Sequence, residues 1–313
     1  MKEIGNEAMA GNGRNEETSQ PGHERVSVVT VSYNSGRHLK AFLDSLQTGL
    51  DGIQDFEVVI ADNASSDDSV AIALSHPVRP RVVSVGRNSG YAGGINAAVA
   101  TVGKDSTLLV LNPDVRLLPG AARLLINRLV DPTVGVAVPK ILDEDGRLTH
   151  SLRREPSLKT AWTDAVLGGG KLGAWIGTGE KISDPARYTA DGFADWAEGS
   201  ALAISARARK LVGAWDESFF LYSEEVDYMR RVRAVGLSIA YVSGAEIIHI
   251  GGESGTNPFL SALLTRNRVQ YYRRHHGFLL SAMFQLAVVL GEGVRTGKGP
   301  THWAALWAGL SAQ

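Results

Sequence analysis

The sequence predicts an α/β fold built on a mostly parallel, doubly wound sheet. Short apolar, β-branched runs at 26–33, 56–61, 81–85, 107–111 and 134–138 read as strands. The first four each lead through a loop rich in Asn, Ser, Asp or Gly into a helical stretch. That alternation is what a parallel sheet with crossover helices requires. Neither a P-loop signature nor a Gly-x-Gly-x-x-Gly turn after the first strand is present, so a dinucleotide fold has no support.

The order of elements follows from local chemistry. Residues 1–24 are rich in Glu, Asn and Gly and poor in large apolar side chains, so a disordered tail is expected there. After the first strand, Asn34-Ser35-Gly36 turns the chain into a helix whose stripe is Leu39, Phe42, Leu43, Leu46 and Leu50. The second strand ends in Asp62-Asn63-Ala64-Ser65-Ser66-Asp67-Asp68, whose Ser and Asp residues suit the cap of a short helix. The third leads into a Gly-rich loop, 86–96, where backbone can approach a ligand and a helix start offers N–H groups to an anion. The fourth, 107–111, is stopped by Asn112-Pro113, and a helix follows near 121–130.

The second half reads differently. Residues 150–192 form a Gly-rich insert expected to be mobile and to face the acceptor side of a site. A strand is expected over 195–204, entered through a tight Gly turn, and a helix after Ser223, a natural N-cap with Glu224, Glu225 and Asp227 in its first turn. A further strand covers 239–242. Arg266, Arg268, Arg273 and Arg274, with His275 and His276, make a basic helix; 278–290 is almost wholly apolar and 303–310 adds two tryptophans. The main domain is therefore placed at 25–277, with C-terminal amphipathic or apolar helices at 278–313. A basic run beside short apolar helices with Trp fits an interfacial anchor on an anionic membrane, and a helix packed on the core fits equally.

Composition bounds the function. The 313 residues suffice for one large α/β domain or two modest ones. A formal net charge of -1 gives no global attraction for nucleic acid, and with no cysteine there are no disulfides or thiolate zinc sites. The opening residues lack the apolar h-region of a secretory signal, and no apolar run reaches the ~18–20 residues that span a bilayer. A cytoplasmic protein is expected, peripheral at the inner face of the cell membrane.

Several side chains point to chemistry. Asp114 lies just beyond the carboxyl end of a central strand, the edge at which open α/β sheets bind ligands. It is sited to hold a divalent metal whose shell phosphate oxygens and waters complete; a capping Asp is the alternative. His249, followed by glycines at a strand end, suits a metal or a diphosphate, or a plain structural hydrogen bond. Asp227 can pair with Arg230 or Arg231 on its own helix. Glu224 and Glu225 lie about 100° apart around that helix, so only one is expected to face an acceptor.

These motifs, in this order, resemble those of the family-2 glycosyltransferases. The runs are Thr30–Asn34, Ala61–Asp67, Asn88–Asn96, Asn112-Pro113-Asp114, Gly199-Ser200-Ala201 and Phe219–Asp227, and the likeness spans roughly 26–277. Within the family the chain is most similar to bacterial rhamnosyltransferases that act on polyprenyl-diphosphate-linked N-acetylglucosamine. The resemblance implies a GT-A fold, a nucleotide-sugar donor, a divalent metal (Mg²⁺ or Mn²⁺) and inverting transfer to a lipid-linked or glycan acceptor in cell-wall or polysaccharide assembly. Residue by residue, it implies that Tyr33, Asn34, Asp62, Asn88, Gly90, Asn96 and Asn112 line the donor site. Asn112 stands where many members carry the first Asp of an Asp-x-Asp motif. Asp114 and His249 would serve the metal, Glu225 the acceptor as catalytic base, where many members have Asp. Glu198, Gly199, Ser200 and Glu224 fall on the acceptor side. The resemblance further implies dTDP-L-rhamnose as donor; a UDP sugar, as in galactofuranosyl transfer, is the alternative within the family. A nucleotidyltransferase would want a basic Gly-rich loop after the first strand, which Asn34-Ser35-Gly36 does not supply, and a non-catalytic sugar-nucleotide binder would not need both Asp114 and Glu225.

Overall fold

The computed structural model describes residues 25–167, 177–251 and 253–312. The expected tail at 1–24 and the part of the insert at 168–176 lie outside the described residues. Strand β1 (Val26–Ser32) is buried along its whole length, paired in parallel with β2 (Phe56–Asp62) and β4 (Thr107–Leu111); β3 (Arg81–Ser84) adds beyond β2. Alternation along β1 sends Val28 to one face and Val29 to the other. On the first face lie Leu39, Phe42, Leu43 and Leu46 of α1 (Gly36–Gly49) and Ala73 of α2 (Ser69–Ser75); on the second, Ala92, Ile95 and Ala98 of α3 (Gly90–Val99). Helices on both faces make the sheet doubly wound, as the apolar periodicity predicts.

The sheet continues through β11 (Ala201–Ile204), β6 (Val134–Leu142) and β12 (Ser238–His249) to β5 (Val115–Leu117), and α4 (Ala121–Arg128) packs against β6 and β12. β6 and β12 run parallel to each other, whereas β11 is antiparallel to both β4 and β6. Ala201 therefore sits opposite Leu111, and the turn before it, 198–200, lies at the carboxyl ends of the parallel strands. The single strand expected over 195–204 is in fact broken there, into β10 (Trp196–Ala197) and β11, because Glu198-Gly199-Ser200 turns the chain out of the ladder. Three-residue β5 was not expected: Asn112-Pro113 ends β4, and the chain re-enters antiparallel to the end of β12, Val115 opposite His249.

The insert carries more structure than its composition suggests. β7 (Leu148–Thr149) pairs with β6, β8 (Leu152–Arg153) with β10, and β9 (Gly192–Ala194) with β12; α5 (Leu158–Leu167) spans the middle. α6 (Ala206–Val212) and α7 (Glu224–Ala234) follow β11, and after β12 come α8 (Glu253–Thr256), α9 (Pro258–His275), α10 (Phe278–Arg295) and α11 (Pro300–Ser311).

Two expectations about the C-terminal part are corrected. The basic face of α9 is mostly tied into the protein: Arg268 pairs with Glu180 (2.6 Å) and Asp164 (3.4 Å), Arg274 bonds Asp216, and Arg273 bonds the Ala312 carbonyl. And the α10 segment Phe278–Lys298 is, by length and composition alone, apolar enough to cross a bilayer. Yet α10 buries Ser281, Phe284, Ala287, Val288 and Gly291 and packs on α5 and α11, leaving Phe278, Leu279, Leu286, Leu290 and Val294 exposed beside Trp303 and Trp307. A helix with one face fixed to the protein and the other apolar and open suits an interface more than a span.

Gly90 is the tightest backbone junction. Its φ is +75°, and a Cβ there would lie 2.0 Å from the Phe220 carbonyl oxygen. Gly90→Ala is expected to cost about 2 kcal/mol or more, since left-handed strain and a backbone clash add; thermal unfolding measures it, and an unchanged Tm would contradict this packing.

Candidate active site

The site lies along the carboxyl edge of the sheet, where β1, β2, β4 and β12 end and the turn before β11 begins. The end of the edge at β1 and β2 is built from two loops laced together. Asn34, left-handed at φ 52°, accepts through Oδ1 from Ser66 N (2.8 Å), and Gly36 N donates to Asp67 Oδ2 (2.9 Å). Asp62 is buried at the end of β2; Ser65 N donates to its Oδ2 (3.1 Å), while Oδ1 is sealed with no hydrogen-bond partner among the described residues. Such an acceptor costs stability unless a ligand donates to it. Tyr33, half exposed, stands beside this pocket at the end of β1.

Asn63 joins this region to the next loop: its Nδ2 donates to the Gly90 carbonyl (2.8 Å), and its Oδ1 accepts from Ser89 Oγ (3.0 Å). Asn88 Oδ1 accepts from Gly90 N (3.1 Å). The N–H groups expected to be open at the start of α3 are partly committed, because Tyr91 N donates to the Phe220 carbonyl at 2.8 Å. Asn96 is engaged away from this edge, donating to the Trp215 carbonyl (2.9 Å) and accepting from Trp215 N (2.9 Å). Asn112 donates its backbone N–H to the Ser200 carbonyl (2.8 Å), clamping the end of β4 to the turn before β11.

Asp114 and His249 meet because β5 pairs antiparallel with the end of β12. Ile250 N donates to the Asp114 carbonyl (3.2 Å), Gly251 N to its Oδ2 (3.0 Å), and His249 Nε2 lies 3.4 Å from the same oxygen. Burial pushes the Asp114 carboxyl up, but the hydrogen bond and charge of His249 and the Gly251 N–H outweigh it, so the group lies below the usual carboxylate range. Against its burial, Asp114 in turn raises His249; once the imidazole gives up its proton, its nitrogen and the carboxylate form a two-donor set of the kind that holds Mg²⁺ or Mn²⁺ when phosphate oxygens and water complete the shell. Among the described residues no larger cluster of ligating side chains occurs.

The opposite end of the edge is formed by α7. Ser223 occupies the N-cap position but does not cap: it is left-handed at φ 72°, as is Tyr222 at φ 70°, and its side chain makes no capping bond. Two successive non-glycine residues in that region store strain. They are held by Asn267 of α9, buried, whose Nδ2 donates to the carbonyls of Leu221 (2.9 Å) and Tyr222 (3.2 Å). Asp227 pairs with Arg231 (2.8 Å), whereas Arg230 turns to Glu155 (2.8 Å).

Glu224 and Glu225 are the first two residues of α7, so their side chains leave it about 100° apart. Glu224 is buried and Glu225 half-buried, and each keeps an Oε2 sealed without a hydrogen-bond partner. Burial, then the neighbouring Glu225, raises Glu224 well above the usual range; burial, with Glu198 adding, raises Glu225 to about 7. Glu225 lies directly behind Gly199, where a Cβ would come within 3.2 Å of its own Cβ. The Tyr91 hydroxyl donates to the Gly199 carbonyl (3.3 Å) and, buried, feels Glu224, Glu225 and Asp114 together. Ser200 Oγ is buried and unpartnered beside them. Glu198 pairs with Arg153 of β8. The structure thus gathers Asp114, His249, Glu198, Gly199, Ser200, Glu224 and Glu225 at one edge, and adds Tyr91, Asn63 and Arg153, which sequence reasoning did not single out as site residues.

Comparison with known proteins gives the family and the fold. The model of glycosyl transferase family 2 matches residues 27–175. An N-acetylglucosaminyl-diphospho-decaprenol L-rhamnosyltransferase of Mycobacterium tuberculosis is 31% identical over 270 residues, covering 81% of this chain and 86% of that one. A rhamnosyltransferase of Escherichia coli K12 is 23% identical over 247 residues, covering 76% and 88%. Among solved structures, a mannosyltransferase from Pyrobaculum calidifontis in complex with GDP-mannose and Mn²⁺ superposes with a TM-score of 0.58 at 15% identity, over 93% of this chain and 76% of that one. The fold shared with it is GT-A.

If Asn267 holds the left-handed turn against strain, glycine at Ser223 should relieve it. Ser223→Gly is expected to stabilise the protein by about 1 kcal/mol and to reduce the loss caused by Asn267→Ala. Thermal unfolding of the wild type, both single variants and the double variant tests this; additive effects would separate Asn267 from the turn.

Proposed function

This chain belongs to the family-2 glycosyltransferases, and from that premise we propose an inverting, metal-dependent rhamnosyltransferase that moves L-rhamnose from dTDP-L-rhamnose to a lipid-linked N-acetylglucosamine acceptor. The observation that carries the mechanism is the presence of two carboxylates at one edge in different environments: Asp114, held ionised beside His249, and Glu225, raised, with its Oε2 unpartnered, behind Gly199. The rhamnosyl assignment rests on the likeness to the mycobacterial enzyme.

Asp62 would accept from the ring N–H of the base through its free Oδ1, with Tyr33 alongside, and Asn34, Asn88 and Gly90 would shape the loops around ribose and diphosphate. A divalent metal held by Asp114 and His249 would supply Lewis-acid neutralisation of the departing diphosphate. Glu225 then takes the proton of the incoming acceptor hydroxyl; a base near neutral pKa combines ionisation with proton affinity. Glu224, held protonated beside it, spares the site a second buried negative charge and keeps Glu225 from being pushed higher.

The turnover assay uses dTDP-L-rhamnose, a prenyl-diphosphate N-acetylglucosamine acceptor and Mg²⁺ or Mn²⁺. Asp114→Ala is expected to abolish metal-dependent transfer. The rate of the wild type should rise with pH through about 7, because Glu225 works only when deprotonated, and Glu225→Gln should lose about 10²–10⁴ in turnover and this limb of the profile. A preference for a UDP sugar would replace the rhamnosyl donor and leave the transferase intact; an active Glu225→Gln beside a dead Glu224→Gln would make Glu224 the base.

A lipid-linked acceptor calls for membrane contact, and the apolar row of α10 with Trp303 and Trp307 supports it. Since the α9 arginines are largely paired internally, binding to anionic vesicles is expected to persist through moderate salt. Leu286→Asp with Leu290→Asp should release the protein from sedimenting liposomes; unchanged binding would make this face an oligomer contact.

A further inference from the structure

Beside the acceptor carboxylates runs a row of cations to which the mechanism above assigns nothing. Arg153 of β8 lies opposite Trp196 on one side and, through an antiparallel bridge, opposite Lys181 on the other. Residues directly opposite in a ladder share a face with neighbouring Cβ atoms, and like charges so placed repel. Arg153 is partly neutralised by Glu198, and its guanidinium lies 5.8 Å over the Trp196 ring and bonds the His150 carbonyl (2.6 Å). Lys181 is exposed, and among the described residues no carboxylate pairs with it. His150 stands next to the row, its ring tilted at 57° to that of Tyr188 with centroids 5.2 Å apart. Burial, then the charges of Lys181 and Arg153, lowers the pKa of His150; burial, then Arg153, lowers that of Lys181, with Glu198 opposing.

The position of the row gives it meaning. Glu198, bound to Arg153, begins the turn whose Gly199 backs Glu225, so one end of the row reaches the base. At the other end Glu180, next to Lys181, pairs with Arg268 of α9, which leads into the apolar helix α10. The row is therefore tied to the turn behind Glu225 through Glu198 and to α9, the helix before α10, through Glu180.

We propose that Lys181 and Arg153, with His150 at their side, bind the diphosphate that joins the acceptor sugar to its lipid. This deepens the functional reading above and rests on it. A diphosphate brings more negative charge than Glu198 alone supplies; exposed Lys181 offers it a mobile point charge, while the Arg153 guanidinium, held by Glu198 and the His150 and Leu152 carbonyls, adds fixed positive charge behind it. Glu198 keeps the guanidinium oriented, and binding leaves the sugar hydroxyl at Glu225.

The test is equilibrium binding, so it does not require turnover. One probe is N-acetylglucosamine joined through diphosphate to a short prenyl chain; the other carries the same sugar on the same chain through a neutral glycosidic oxygen. Titration calorimetry of the full chain should give tighter binding of the diphosphate probe. Lys181→Ala and Lys181→Glu should weaken that probe by about tenfold or more and the neutral probe little, with Lys181→Arg retaining most of the affinity. Because Lys181 is exposed, these variants are expected to fold. Undiminished diphosphate binding in Lys181→Glu overturns the proposal. So does a parallel loss of dTDP-L-rhamnose binding, which would give the row to the donor, or a loss confined to anionic vesicles, which would give it to lipid headgroups. Discrimination between the probes with no rhamnosyl transfer would sink the donor assignment and leave the row standing.

Discussion

Three successive carbonyls, those of Phe220, Leu221 and Tyr222, hold this site together. The first is taken by Tyr91 N at the start of α3, and the other two by the Asn267 amide of α9. Between them the chain passes through two left-handed residues before it can enter α7. That forced turn, rather than the helix alone, decides where Glu224 and Glu225 point. It also connects the loop at Gly90 to α7: a side chain at 90 would meet the Phe220 carbonyl. The start of α3 and the start of α7 therefore share one piece of backbone, and a disturbance at either is felt at both.

Around that backbone the protein sets carboxylates in opposed environments. Asp114 receives an N–H and an imidazole and stays ionised, whereas Glu224 and Glu225 are buried with oxygens that nothing donates to. Environments that drive similar groups apart are how one pocket divides the tasks of holding positive charge and moving a proton. The cost is that the site is poorly satisfied without substrate. Asp62 Oδ1, Ser200 Oγ and both glutamate Oε2 atoms are unpartnered acceptors at the same edge, a place where a ligand finds more to bond than solvent would.

Much of this was legible in the sequence where the signal is local. The runs at 26–33, 56–61, 81–85 and 107–111 became β1 to β4, and the stripe Leu39, Phe42, Leu43, Leu46 became the buried face of α1. Pro113 did stop β4 at the edge where Asp114 is needed. What could not be read depends on partners far along the chain. β5 exists only because β12 offers it an edge, and three residues carry no period of their own. Asn267 sits in a helix with nothing nearby to mark it, since its partners are 45 and 46 residues earlier. Ser223 has the chemistry of a cap, yet the tether from α9 imposes a conformation in which its hydroxyl cannot act as one. The arginines of α9 read as a free basic face because their carboxylate partners, Asp164, Glu180 and Asp216, come from separate segments.

The long sequence separations have a consequence for how the protein comes into being on the ribosome. β1 to β4 and their helices are contiguous, and such units fold early during synthesis. Asp114, made with them, waits 137 residues for the Gly251 N–H that fixes its carboxylate, and the turn before Glu224 waits for Asn267. A nascent chain can thus hold the loops after β1 to β3 in place while the turn before Glu224 is still unformed. The apolar surface of α10 emerges directly after α9, so the segment that completes this edge is followed at once by the chain's most exposed apolar helix face.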